Sequence, residues 1–236
     1  MRNQLLVYFC IMVALSGAYS DYSFSTNVKI NDDGSGHVTE KTIFLFESAE
    51  ERKAFELNMN LGESTIVEWR KFSSNIRFHF KSIANNTKIT AKREFTVNFD
   101  AGAVIVDYDT GALFGQTAVG SRRTIYSLMP DMLSFERTKT GQTSLGNNMQ
   151  LKFEYPKDAE FLKAAPDYEE SGNAISWNGP IAGNWDLQYA REMPLSEEVS
   201  VFFISTYHTA SEKLPLILLA AFSLLVLFVL VKFGRK

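Results

Sequence analysis

The chain has 236 residues, 24 of them lysine or arginine and 27 aspartate or glutamate, for a formal net charge of −3. That balance, with no basic cluster, excludes a nucleic-acid surface, and a single cysteine, Cys10, excludes a disulfide framework. With 45% hydrophobic residues the chain can bury the core of one large domain or two small ones.

The first twenty residues, MRNQLLVYFCIMVALSGAYS, set Arg2 before an apolar stretch from Leu5 to Leu15 and close on the small-residue pattern Ala18-Tyr19-Ser20. This is the layout of a secretory signal peptide cut between Ser20 and Asp21; the alternative is an uncleaved signal anchor. Cys10 falls inside it, and Val7-Tyr8-Phe9 lack the small residues of a lipoprotein box. The mature chain is then free of thiols, which rules out a cysteine zinc site and favours a prokaryotic cell surface.

Ser23 to Ile30 and His37 to Phe46 are rich in alternating and β-favouring residues and are separated by NDDGSG, so a β-hairpin is predicted with glycine in the turn. Asp32, Asp33 and Ser35 supply oxygens there, but a calcium loop needs a longer alternation and a distal glutamate, which favours a simple turn. Ser48-Ala49-Glu50-Glu51 is a capping box that starts a helix at about 49–58. Strands are predicted at Ser64–Phe72, Asn75–Lys81 and Thr87–Phe99. In the second, Arg77, His79 and Lys81 alternate with Ile76, Phe78 and Phe80, which puts His79 on a solvated face. Asn85-Asn86-Thr87 is an N-x-T sequon, so Asn85 is the acceptor in a host that glycosylates.

Ala103–Tyr108 is a further strand, and the Gly-containing Asp109–Gly120 reads as a loop and as the boundary between two halves. Strands follow at RTIYSLM (123–129), Met149–Tyr155, Ile175–Trp177, Trp185–Tyr189 and Val199–Tyr207, with a short helix or turn at Lys157–Ala164. Many short strands between turn residues predict a mainly β domain of antiparallel, sandwich-like architecture, with α+β as the alternative class.

Leu214 to Val231 is an uncharged run that as a helix is about 27 Å long, close to the ~30 Å apolar core of a bilayer. Lys232, Arg235 and Lys236 follow it, which puts the C-terminus in the cytoplasm. The alternatives are a buried core helix and a removable anchor signal. Residues 21–212 hold 19 of the 24 cations and all 27 acids, a net charge of −8 that repels anionic partners.

No G-x-S-x-G or H-E-x-x-H frame occurs, and His37, His79 and His208 are far apart in sequence, so no catalytic residue, metal or cofactor is implied. Glu169-Glu170 and Glu197-Glu198 read as solvated charges. A carboxylate pair assembled by folding keeps a membrane-anchored hydrolase open as an alternative. Trp177 and Trp185 flank NGPIAGN; such aromatics either contact a ligand or partner, or fill the core at strand ends. Ala220, Ala221 and Ser223 are small residues on the apolar helix, which keeps an accessory subunit of a transporter open as a third reading.

The opening VKINDDGSGHVTEKTIFLF resembles the start of uncharacterised prokaryotic, chiefly archaeal, secreted proteins with one C-terminal membrane helix. The matching residues are Ile30, Asp33, Gly34, Ser35, Val38, Thr39 and Glu40, and the likeness covers some twenty residues plus the overall layout. It implies a β-rich ectodomain and no particular activity. The expected organisation is a signal peptide (1–20), an N-terminal β-rich half (21–110), a C-terminal sandwich-like half (111–212), a membrane helix (213–232) and a cytoplasmic tail (233–236). The protein is expected to act by binding, held in the membrane by Leu214–Val231 beside other envelope or membrane proteins.

Overall fold

Side-chain alternation governs the two runs on either side of Asn31–Ser35. One face of β1 (Ser20–Ile30) buries Phe24, Thr26, Val28 and Ile30, and β2 (Gly36–Leu45) buries Val38, Glu40, Thr42 and Phe44. In the computed structural model, which describes residues 20–61, 65–81, 83, 86–95, 100–120 and 122–192, these strands form the expected antiparallel hairpin, with Val28 opposite Val38. Gly34 takes φ +80° in the turn, a conformation that suits a residue without a Cβ. Asp33 accepts hydrogen bonds from the Ser35 amide (3.0 Å) and hydroxyl (2.6 Å), so the acidic cluster is a turn whose oxygens are used locally.

The remaining strands are β3 (Lys88–Phe95), β4 (Asp100–Thr110), β5 (Phe114–Val119), β6 (Arg123–Leu128), β7 (Glu136–Arg137), β8 (Thr143–Leu145), β9 (Met149–Glu154), β10 (Glu160–Ala165), β11 (Glu169–Ser171), β12 (Ala174–Asn178), β13 (Ile181–Gly183) and β14 (Asp186–Glu192). The described residues are thus mainly β. A seven-stranded sheet runs β11-β12-β9-β1-β2-β4-β3, a four-stranded sheet β10-β14-β6-β5, and a three-stranded sheet β13-β8-β7. Most of the pairings are antiparallel, but β1 and β9 run parallel, Phe24 beside Met149 through Lys29 beside Glu154. The two larger sheets meet through aromatic side chains. Phe153 lies edge-on to Phe114 (ring centres 6.1 Å apart), and Tyr189 contacts Phe114, Tyr126 and Tyr155 at 5.2, 4.8 and 6.2 Å.

Ser48 caps α1 (Ala49–Asn60): its hydroxyl accepts from the Glu51 amide at 3.1 Å, while the Glu51 carboxylate accepts from the amide of Glu47, one residue before the cap, at 2.8 Å. Phe55 is the helix's buried side chain and sits among Phe44, Phe46, Trp69 and Phe72. Gly102 on β4 makes room for it, since a Cβ there would stand 2.7 Å from both the Phe46 and Phe55 rings.

Four expectations need correction. The predicted strand at Ser64–Phe72 contains instead a short helix, α2 (Ile66–Trp69), because the Glu68 carboxylate accepts from the Thr65 amide at 2.8 Å and starts a helical turn. Asn75–Lys81 is irregular, and His79 and Phe80, neighbours in sequence, are both buried instead of alternating between a solvated and a covered face. Most of Lys157–Ala164 is strand β10, whose pairing with β14 supplies what local pattern does not. Asp109–Gly120, expected as a loop, holds the end of β4 and β5, and β9 and β12 join β1–β4 in one sheet, so the seven-stranded sheet draws on residues from both expected halves. Contacts gather residues 20–117 and 124–191 into one compact unit, while 118–123 and Glu192 fall in a second.

β1 runs through the expected cleavage point between Ser20 and Asp21. Residues 1–19, Asn85, the predicted strand at Val199–Tyr207, the run Leu214–Val231 and the basic tail lie outside the described residues. Among the described residues no helix is long and apolar enough to cross a membrane.

Candidate functional site

The polar group with the most elaborate environment is Glu40, at 2% exposure. Its carboxylate accepts from the Tyr108 hydroxyl, from the His79 amide at 3.0 Å and from His79 Nδ1 at 2.9 Å. Arg77 Nε donates to His79 Nε2 at 3.3 Å, so the hydrogen-bond pattern assigns the ring proton to Nδ1. The imidazole packs on Phe24 and Phe135 with ring centres 4.6 and 4.7 Å away. Burial, and then the charge on Glu40, push the Tyr108 phenol well above the ordinary tyrosine range. This corrects the expectation that His79 faces solvent: at 1% exposure it is a core residue. The group is enclosed, and its chemistry is that of a clasp pinning the irregular 75–81 segment to β2 and β4.

Trp177 and Trp185 are also interior, at 1% and 2% exposure, with ring centres 4.8 Å apart and edge to face. Their indole N–H groups donate to the Pro166 and Thr143 carbonyls, each at 3.0 Å. Both rings lie in the apolar core at strand ends. The segment between them, which holds the end of β12 and β13, does reach the surface. Asn178 and Gly179, with Tyr22–Ser25 on β1 and Asn148–Gln150 at the start of β9, line an open groove of about 430 Å³.

Sheet register builds this groove. Ser25 is opposite Gln150, and Gln150 is opposite Asn178, so three polar side chains form a row across β1, β9 and β12. Gln150 Nε2 donates to Asn178 Oδ1 at 2.9 Å, and the Gly179 amide donates to the Met149 carbonyl at 2.8 Å. A Cβ at Gly179 would run into the Gly146 carbonyl, so glycine lets the two loops press together beneath the row. Tyr22, 46% exposed, forms the aromatic part of the lining. Among the described residues no charged side chain lines the groove.

A second open groove, of about 610 Å³, lies beside the hairpin turn and is lined by Lys29–Asp33, Ser35 and Pro156–Asp158. Its charges are largely committed. Arg191 reaches Asp158 at 2.7 Å and the Asp32 carboxylate at 3.1 Å, and the Tyr126 hydroxyl donates to the Asp32 carbonyl at 3.1 Å. Hydrogen bonds from Ser35 hold Asp33 below the usual carboxylate range, and those from Arg191 do the same for Asp158. Among the described residues no group of three or more His, Cys, Asp or Glu side chains is placed to hold a metal ion. Glu169 and Glu170 lie exposed on edge strand β11.

No family model matches the chain, and no curated protein matches it in sequence. Among solved structures it is similar to the NMR structure of the folded domain of the LppM protein of Mycobacterium tuberculosis, at 5% identity and a TM-score of 0.32, over 75% of this chain and 92% of that one. A likeness at that level says nothing about what this chain does.

Proposed function

We propose that the protein is a single-pass, membrane-anchored binding protein with an extracytoplasmic, sandwich-like β domain, either an envelope component or a subunit of a surface complex. The carrying observation is the groove at the start of β1 and β9, whose described lining is uncharged and combines an exposed aromatic ring with a row of amide and hydroxyl groups held on strand ends. Sites built on strands hold their geometry better than sites on free loops, which suits recognition. The apolar run Leu214–Val231 and the cations after it support anchoring with the C-terminus inside.

The test is photo-crosslinking in native membranes from Tyr22→p-benzoylphenylalanine, with the same replacement at exposed Lys53 on α1 as the comparison. An adduct formed from position 22 and not from position 53 supports a binding role for the groove. Recovery of the uncrosslinked chain alone from both would overturn it.

A further inference from the structure

We infer that the groove takes an uncharged carbohydrate, an assignment that rests on the binding role proposed above. Sugar rings offer one kind of surface twice over: C–H faces that stack on an aromatic ring, and a rim of hydroxyls that each donate and accept. The groove answers both. Tyr22 presents nearly half of its surface to solvent at one part of the lining. Ser25, Gln150 and Asn178 stand opposite one another on three neighbouring strands, about 4.8 Å apart from strand to strand. Hydroxyl and amide groups both donate and accept, as sugar hydroxyls require. Ser23 and Asn148 extend the same chemistry around the groove.

Charge argues in the same direction. Among the described residues the lining carries no cation to meet a phosphate, sulfate or carboxylate, and no anion to meet a basic peptide. The row is also organised in advance, because Gln150 already bonds Asn178 and the backbone beneath is tied by the Gly179–Met149 hydrogen bond. Ligands lose less ordering entropy on such a surface. At about 430 Å³, open on one side, the groove falls in the small-ligand range and leaves room for a longer glycan to continue beyond it.

The experiment uses the full chain in a zwitterionic detergent, since sugar-headed detergents would compete. It is titrated with cello-, chito- and manno-oligosaccharides, with a heparin-derived oligosaccharide as the charged comparison, and binding is read by saturation-transfer NMR. At least one neutral oligosaccharide is expected to bind in preference to the heparin fragment. Tyr22→Ala is expected to weaken that binding about tenfold, the order of one lost aromatic stack, and Asn178→Ala to weaken it as well. Lys53→Ala should leave it unchanged. Absence of binding by every neutral sugar, a preference for the charged one, or unchanged binding by Tyr22→Ala overturns the carbohydrate assignment. If, in addition, position 22 crosslinks to a protein in membranes, the binding role stands with a different ligand; if position 22 crosslinks to nothing, both fall.

Discussion

Glu40 shows how much a single buried carboxylate can organise. Its three donors come from β4 and from the irregular segment around His79, so one side chain ties two parts of the fold that are not hydrogen-bonded as strands. Tyr108→Phe removes one of the three and should destabilise the protein by about 1.5–3 kcal/mol in urea melts at neutral pH, the range for a hydrogen bond to a charged group. Alkaline behaviour follows from the same contact. Burial raises the phenols of Tyr108 and Tyr189 in the folded state, with the charge on Glu40 adding to the first and Tyr126 to the second. Above about pH 10 an unfolded tyrosine loses its proton while these two keep theirs, so stability is complete below that pH and falls as pH rises beyond it. Tyr108→Phe should make that fall shallower; an unchanged slope would show that Tyr108 does not titrate on unfolding. None of this clasp is legible along the chain. Glu40 reads as an ordinary residue of a hairpin strand, and its partners are 39 and 68 positions away.

Elements were legible where their cause is local. The hairpin follows from NDDGSG, and α1 follows from Ser48 and Glu51, because turn and cap hydrogen bonds join residues a few positions apart. The strand period misleads at 75–81, where tertiary contacts to Glu40 and Phe135 turn two successive residues inward. α2 was missed although Thr65 and Glu68 carry a capping signature, since its β-branched and aromatic residues suggest a strand. The candidate groove was legible only in part. NGPIAGN marks a segment whose start reaches it, although it holds β13 and is not all loop, but Trp177 and Trp185 turn into the core and Tyr22 is the ring that stays outside. The seat of α1 supplies a sharper test of packing. Gly102→Ala forces a methyl group against the Phe46 and Phe55 rings and should destabilise by about 1–3 kcal/mol, measured by thermal or urea unfolding. A neutral result would mean that α1 can lift off β4 without loss.

At the scale of the molecule, the seven-stranded sheet matters most, because it draws on both sides of the apparent mid-chain boundary. Composition and turn spacing show that boundary as a natural break, and the pairing of β1 with β9 spans it. Residues 21–110 alone leave Phe24, Val28 and Glu40 without the strands and the Phe135 and Phe153 side chains that enclose this region. That fragment should show no cooperative unfolding transition by circular dichroism, whereas the full chain should; a folded fragment would support two separate halves. The parallel pairing also sets an order of events. Phe24 must wait for Met149. On a ribosome adding about 5–20 residues per second, the first strand emerges on the order of ten seconds before its neighbour exists. During that interval one edge of the nascent hairpin is unzipped and its apolar face uncovered, so the hairpin is where the growing chain is most exposed to aggregation.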